Sequence, residues 1–180
     1  MADIASGSFS SIVKSTEGLL AQVGVYQLES DAQFQSFYRL QELENVVIES
    51  IGSGSYHFMV TTADTGNVYA WGVNEYQQLG YSTNGAYEST VPQQVVTDDF
   101  EPLVGAVQVT GGNDFSVARM NDGTLYSWGL KLRLGRPDNT GNSDNWDHPR
   151  PVLKANGQAL DTITDIACGA FHSLALDSNG

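Results

Sequence analysis

The sequence predicts an all-β chain built from propeller blades, with about three blades and the start of a fourth in an incomplete ring. The first observation is that DIASGSFSSIVKSTEG (3–18) and DIACGAFHSLALDSNG (165–180) are identical at seven matched positions. The second is that turn glycines recur at spacings of 48, 57 and 57 residues, at Gly18, Gly66, Gly123 and Gly180. Periods of this length, with several short strands in each, are typical of β-propellers.

Each repeat presents its strands in the same order. The first strand is VVIESIG, AVQVTGG or TITDIACG, and the second is HFMVTT, FSVARM or HSLAL. The turns ADTGN, NDGT and DSNG contain residues that tolerate positive φ and therefore favour a hairpin. The third strand ends in Trp-Gly in NVYAWG and TLYSWG, whereas GLLAQVG has Val23 at the tryptophan position. Alternating β-branched and aromatic residues predict strands, and all five prolines lie outside them.

The repeats divide residues 1–180 into units of approximately 1–47, 48–104 and 105–161, followed by a partial unit at 162–180. They form a single propeller segment. The tryptophan phrase of the last unit would follow directly after Gly180. Residues 29–46 occupy the place of a connector between blades. A short helix is the alternative there, because Leu40, Leu43 and Val46 are apolar among charged residues.

Several phrases together resemble the regulator-of-chromosome-condensation repeat family. They are GSYHFMV, GAFHSLAL, VYAWG, LYSWG, QLG (78–80), RLG (133–135), VPQQV and HPRPV. The resemblance covers nearly the whole chain, and it implies a seven-bladed β-propeller with four-stranded blades. It also implies that the histidine of each repeat holds neighbouring strands. The repeat positions expected to be structural are Gly54, His57, Gly66, Trp71, Gly72, Gly112, Gly123, Trp128, Gly129, Gly169 and His172.

The chain departs from the family pattern at several repeat positions and in its number of repeats. Gln77 stands where a glycine is usual, Phe115 replaces the histidine, and the first repeat has no tryptophan. The repeat count is about half of seven. Half a ring leaves strand edges and an apolar blade face uncovered, which favours association. We therefore expect that the chain is a fragment of a longer propeller, that copies pair as a homo-oligomer, or that a protein partner completes the ring.

Composition narrows the range of partners. The chain has 8 basic and 21 acidic residues and a formal net charge of −13, which argues against nucleic acid and anionic membranes as partners. Neither a signal peptide nor an apolar stretch long enough for membrane insertion is predicted. Localisation stays open between the cytoplasm and a virion or surface assembly. Cys168 lies in an apolar strand phrase and is predicted to be buried and unreactive.

No catalytic, cofactor or metal site is predicted. GSGSYH (52–57) lacks the third glycine of a dinucleotide loop and precedes a strand, so it does not predict phosphate binding. DNTGNSDNWD (138–147) is rich in oxygen ligands, but Thr140 interrupts the calcium pattern and no glutamate closes it. The alternative of a solvated loop is preferred. The chain is therefore expected not to be an enzyme.

The candidate protein interface is the long loop between Trp128 and Val152. It contains Trp146, Arg133, Arg136 and Arg150, together with Lys131. Aromatic and arginine side chains on loops are common anchors of protein interfaces. The alternative is a loop that packs onto its own blade.

The function expected from these observations is a non-catalytic protein–protein interaction scaffold, or a structural subunit of a larger assembly such as a virion or surface layer. Two alternatives remain open. The first, by analogy with the family, is a guanine-nucleotide exchange factor for a small GTPase. The second is a secreted enzyme inhibitor or receptor-like binding propeller. A fold does not by itself establish either activity.

Overall fold

The chain folds as a series of short β-strands. The computed structural model describes residues 3–24, 38–136 and 145–180. Two short 3-10 turns occur, at Gln41–Leu43 and Lys131–Arg133. The strands are β1 (Asp3–Ser6), β2 (Ser10–Lys14), β3 (Leu20–Gly24), β4 (Tyr38–Arg39), β5 (Ile48–Ser53), β6 (His57–Thr62), β7 (Val68–Val73), β8 (Glu88–Gln94), β9 (Ala106–Gly111), β10 (Phe115–Met120), β11 (Leu125–Leu130), β12 (Asn145–Pro151), β13 (Ile163–Cys168) and β14 (Ser173–Asp177).

The strands form four separate antiparallel sheets, which we call blades 1 to 4. Blades 1, 2 and 3 contain β1–β4, β5–β8 and β9–β12, and blade 4 contains β13 and β14. The first strand of each blade packs beside the first strand of the next, so the blades follow one another around a common axis. This arrangement confirms the predicted all-β propeller with three blades and the start of a fourth.

The Trp-Gly phrase lies at a bulge near the end of the third strand in blades 2 and 3. Gly72 and Gly129 have φ values of 113° and 105°, and the pairing of the third strand with the fourth shifts register beside each of them. A Cβ atom on Gly72 would lie 2.4 Å from the Tyr56 carbonyl oxygen. Gly24 has a φ of 101° in the same place in blade 1. The positive φ of this glycine therefore recurs in all three complete blades, whereas the bulge and the tryptophan are seen in blades 2 and 3.

The two tryptophans at the repeat position, Trp71 and Trp128, fill the space between blades. Trp71 is fully buried and packs with Ile12, Leu20 and Leu43 of the preceding segment, while its Nε1–H donates to Gln22 Oε1 at 2.8 Å. Trp128 is also fully buried, in a cluster that belongs largely to blade 2. Each indole thus joins its own blade to the one before it. Such burial of apolar surface is the main stabilising contribution between blades.

His57 connects blade 2 to blade 3 through a buried hydrogen-bond network. The Ser116 hydroxyl donates to the Gln78 carbonyl oxygen at 2.7 Å, so it accepts the Nε2–H of His57 at 2.9 Å. The same Gln78 oxygen accepts the Trp128 Nε1–H at 2.9 Å. Complete burial lowers the pKa of His57 to about 3. The imidazole is therefore neutral at physiological pH, and its hydrogen bond to Ser116 links blade 2 to blade 3.

The first connector is only partly described. Of the segment 29–46, residues 29–37 lie outside the described residues. The rest contains β4, which pairs with β3, and the 3-10 turn at Gln41–Leu43, whose Leu43 is buried against the blade. The described part of this segment therefore contains no α-helix. No helix in the described part of the chain is long and apolar enough to cross a membrane.

Close approach of the first strands makes Gly52 intolerant of a side chain. A Cβ atom there would lie 2.2 Å from the Val109 carbonyl oxygen of blade 3. We expect Gly52→Ala to lower the free energy of unfolding by about 1–3 kcal/mol through overpacking. Glu49→Ala is the control, since Glu49 lies on the same strand and its side chain is exposed. Urea titration of both variants checks this, and equal destabilisation would contradict the argument.

Candidate protein-interaction surface

Of the four residues of the predicted interface, Arg133, Arg136 and Arg150 have described side chains, and each makes a different set of contacts. Arg133 lies in the 3-10 turn that follows β11 and points toward blade 4. Arg150 lies on β12 and forms an ion pair with Asp98 of the blade 2 connector, with Nε and Oδ2 at 2.8 Å. The backbone of Trp146 pairs with Gly129, but its side chain lies outside the described residues, as does most of the 138–147 loop. The four side chains do not form one described patch.

Arg136 turns inward onto its own blade. Its Nη2–H donates to the Ser127 carbonyl oxygen at 2.9 Å. Burial lowers the pKa of its guanidinium to about 9, and the positive charge of Arg150 acts in the same direction. Arg136 therefore matches the alternative interpretation, a loop residue that packs onto its own blade.

Arg133 makes contacts that bridge blades 3 and 4. Its guanidinium forms an ion pair with Asp114 and lies over the Phe171 ring, with Cζ 4.3 Å from the ring centroid. Both charged side chains are largely covered, at 20% and 13% exposure. Burial raises the pKa of the Asp114 carboxyl group, and this outweighs the opposing effect of Arg133. The ion pair therefore holds Phe171 in place at the surface.

Four equivalent loop positions form an arc on the same face of the propeller. We call Phe9, Tyr56, Asp114 and Phe171 the aromatic arc, since three of the four are aromatic. Each lies between the first and second strands of its blade. Phe9 and Tyr56 stack with ring centroids 5.9 Å apart, and Phe171 is 61% exposed. Leu132, beside Arg133, is 90% exposed. These side chains give one loop face an apolar and aromatic character.

The loops that present the arc are joined by backbone hydrogen bonds between blades. Ser8 N–H donates to Ser55 O at 2.8 Å, and Asn113 N–H donates to Ala170 O at 2.9 Å. Ser55 N–H donates to the Gly112 carbonyl oxygen at 3.0 Å. These bonds connect all four blades at the rim of a groove of about 650 Å³ that the first strands line. The arc is therefore held on a rigid support.

The sequence-based prediction did not identify the aromatic arc. It placed interface residues only in the long blade 3 loop. The signal was nevertheless present in the sequence. The residue directly before the predicted second strand is aromatic in three of the four repeats, at Phe9, Tyr56 and Phe171. From sequence alone, an aromatic residue that recurs at one repeat position is expected to have a structural role. Whether its side chain is exposed depends on the tertiary structure.

The opposite loop face is acidic. Its described connectors and hairpin turns contain Glu17, Glu42, Glu44, Asp64, Asp98, Asp99, Glu101, Asp122, Asp161 and Asp177. Some of these carboxylates have local roles; Asp122 Oδ1, for example, accepts the Thr124 N–H at 2.9 Å. The carboxylates of Asp64 and Asp122 have lowered pKa values because of hydrogen bonds from Thr62 and Thr124, respectively. This face therefore carries negative charge at neutral pH and repels polyanions.

Two further features concern possible catalysis or metal binding: the thiol of Cys168, and the placement of side chains that could bind a metal ion. Cys168 is half-buried, not fully buried as predicted, and its Sγ lies 3.4 Å from Ser173 Oγ. Burial raises the pKa of its thiol, which therefore stays protonated at neutral pH. Within residues 3–24, 38–136 and 145–180, no three His, Cys, Asp or Glu side chains lie close enough together to hold a metal ion.

Comparison with known proteins identifies the same repeat along most of the chain. The Regulator of chromosome condensation (RCC1) repeat matches residues 65–119 and 122–176, and a second form of that repeat matches residues 48–78. The protein pim1 of Schizosaccharomyces pombe is 32% identical over 152 residues. Human WBSCR16 superposes with a TM-score of 0.76, and Prp20p of Saccharomyces cerevisiae with 0.75, both at 22% identity.

The chain is shorter than each of these proteins. The match to pim1 covers 77% of this chain and 26% of pim1. The superpositions cover 98% of this chain, 45% of WBSCR16 and 44% of the Prp20p chain. At 22% identity the two structural matches establish the propeller fold alone.

Proposed function

The chain belongs to the regulator of chromosome condensation (RCC1) repeat family, and from this premise we propose that it is a non-catalytic protein-binding scaffold. The observation that carries the proposal is the aromatic arc, which the propeller holds on one loop face. Exposed aromatic side chains next to a positioned arginine have the composition of protein-binding hot spots. Prp20p binds Gsp1p and histones, which is consistent with protein binding by such propellers.

The finer form of the proposal is a structural subunit whose partner also completes the ring. The acidic opposite face supports a protein partner over a nucleic acid.

Guanine-nucleotide exchange on a small GTPase is the alternative that the family resemblance implies. A nucleotide-release assay on a panel of labelled small GTPases tests it directly. Accelerated release by this chain would replace the scaffold proposal with an exchange function. Unchanged release rates across the panel would remove that alternative.

Loss of the two terminal rings of the aromatic arc should weaken partner capture. We expect Phe9→Ser/Phe171→Ser to reduce capture at least about tenfold, because aromatic anchors dominate interface energies. A photo-crosslinking group at Leu132, which is 90% exposed, would report the bound partner. The structural cost should be small, since both rings are partly exposed.

The matched control is Val47→Ser/Val104→Ser, which changes two exposed apolar residues on the opposite loop face. Capture by this variant should equal that of the unchanged protein. If the control loses capture and the arc variant keeps it, the binding surface is the acidic face, and the arc proposal fails.

A further inference from the structure

A polar pocket lies in the loop that joins β7 to β8 in blade 2. It has a volume of about 260 Å³, and its walls include Asn74, Glu75, Gln77, Thr83, Ala86 and Tyr87. This volume is below the roughly 300–1,000 Å³ of pockets that enclose a small-molecule ligand, so the pocket fits a single side chain better. Blade 2 has four strands and packs against blades 1 and 3. The pocket therefore lies within a complete blade, away from both ends of the chain.

The floor of the pocket is held by hydrogen bonds within the loop. Asn74 is buried, its Oδ1 accepts the Leu79 N–H at 2.9 Å, and its own N–H donates to the Tyr87 carbonyl oxygen at 2.7 Å. The Thr83 hydroxyl donates to the Ala86 carbonyl oxygen at 2.6 Å. These bonds connect the two ends of the loop, so the pocket keeps its shape without a ligand and little further ordering is needed on binding.

One wall of the pocket is suited to a positive charge. The Tyr87 hydroxyl donates to Glu75 Oε2 at 3.3 Å, and Tyr87 is 46% exposed. Across residues 3–24, 38–136 and 145–180, no basic side chain forms an ion pair with Glu75. A carboxylate beside an aromatic ring attracts cations through charge and through the ring face. The net charge of −13 acts in the same direction.

Gln77 contributes an amide group at a strained backbone position. Its φ is 65°, a conformation that favours glycine, and glycine is the residue that the family pattern usually has there. The side chain lines the pocket and forms no hydrogen bond within the described part of the chain. The corresponding turn of blade 3 is two residues shorter, and residues 131–135 contain no carboxylate. The pocket is therefore a feature of blade 2 and not of the repeat.

The pocket lies beside the aromatic arc. Burial raises the pKa of the Asp114 carboxyl group, and the negative charge of Glu75 acts in the same direction, so these two carboxyl groups are close in space. Asp114 belongs to the arc and is paired with Arg133, which leaves the charge of Glu75 for another cation. A protein bound on the arc can therefore extend a side chain into the pocket.

We propose that this pocket binds one arginine side chain, presented by the protein partner on the face of the aromatic arc. The inference rests on the proposed scaffold function and names one element of its partner. The guanidinium pairs with Glu75, donates to the side-chain oxygen of Gln77 and stacks on the Tyr87 ring. Arginine is favoured over lysine because its planar group has five N–H donors and stacks on aromatic rings, whereas an ammonium group is a compact point charge.

The experiment titrates the isotope-labelled 180-residue chain with Nα-acetyl-arginine amide and follows NMR chemical shifts. We expect saturable shifts of the Gln77 side-chain amide and of the Ala86 backbone amide. Nα-acetyl-citrulline amide has nearly the same shape without the charge, and it should bind at least about tenfold more weakly, because hydrogen bonds to a charged group are lost. Nα-acetyl-lysine amide at equal ionic strength should also bind more weakly than the arginine compound.

Glu75→Gln should weaken arginine binding at least about tenfold, because the charge of the carboxylate is removed. Glu101→Gln is the matched control, since Glu101 is exposed on the opposite loop face, and it should bind as the unchanged chain does. Gln77→Gly should weaken binding about threefold or more without lowering the urea midpoint, since glycine suits the positive φ. A loss of binding in this variant is therefore not a loss of folding.

The comparison of arginine with citrulline on the unchanged chain decides the matter even if Glu75→Gln does not fold. Absence of saturable shifts, or equal binding of the arginine and citrulline compounds, overturns the proposal. The probe is too small to need the arc, so the result is separate from the capture test of Phe9→Ser/Phe171→Ser. Selective arginine binding together with unchanged capture by that variant would support the pocket and remove the arc.

Discussion

Replacing Trp71 by alanine should lower the free energy of unfolding by about 3–5 kcal/mol, the largest effect expected for a single side chain here. The indole is fully buried between blades 1 and 2, with Phe58 at 5.7 Å between ring centroids. Its removal leaves a cavity that the two sheets cannot fill without shifting. The variant also loses the Nε1–H donated to Gln22 Oε1, a buried acceptor. Urea titration followed by circular dichroism measures the difference.

Two further variants provide reference values for the loss of unfolding free energy in Trp71→Ala. Trp71→Phe keeps an aromatic ring and loses the N–H, so it should cost roughly half as much. Leu132→Ala changes a residue that is 90% exposed and should cost about 0.5 kcal/mol or less. If Trp71→Ala were no more destabilising than Leu132→Ala, Trp71 would not join the two blades, and the account of inter-blade packing would be wrong.

Acidification should destabilise the protein through His57. The pKa of His57 falls from 6.5 to about 3 on folding because burial disfavours the imidazolium. The unfolded state therefore binds the proton more readily, and stability falls as pH decreases from above 6.5 toward 3. Between pH 7.5 and 5 the loss from this group is about 2 kcal/mol. Most carboxylates stay ionised in that window, so the measurement is confined to it.

His57→Phe isolates this contribution. Phe115 occupies the same repeat position in blade 3, so a phenyl ring is already accepted in this environment. The variant loses the hydrogen bond to Ser116 and should be less stable at pH 7.5. Its stability should nevertheless change about 2 kcal/mol less than that of the unchanged protein between pH 7.5 and 5. Equal pH dependence of both proteins would show that His57 does not remain neutral and buried.

The two loop faces of the propeller differ in chemistry, and this difference indicates where a protein partner of the proposed scaffold would bind. One face carries the aromatic arc, supported by backbone hydrogen bonds that run from blade to blade. The other carries most of the described carboxylates, which keep it hydrated and repel polyanions. A partner that buries aromatic surface is therefore expected on the first face.

Much of the fold was predictable because each blade repeats a local pattern. Turn residues that tolerate positive φ, and the alternation of residue types along a strand, involve only neighbouring residues in the chain. Both features can therefore be recognised from the sequence alone. Gln77 illustrates the limit. The resemblance marks this position as one that usually holds glycine, and the structure shows why, with a φ of 65°. The sequence identified the departure, but the backbone conformation that explains it came from the structure.

The candidate interface, unlike the fold, could not be predicted from local sequence patterns. Arg133 and Arg136 lie three residues apart and look alike in sequence, yet one bridges to Asp114 and Phe171 while the other bonds to Ser127 within its blade. Their directions depend on residues that are distant in the chain. The aromatic positions Phe9, Tyr56 and Phe171 form a surface only because the blades bring equivalent loops side by side.

The sequence by itself determined the repeat, the strand order, the repeat glycines and the two repeat tryptophans, since these follow from local periodicity and turn chemistry. Only the tertiary structure decided which equivalent residues are buried and which are exposed. Position 71 is covered because blade 1 packs over it. Burial is a property of the neighbouring blade, and a repeat cannot specify its neighbour from its own residues.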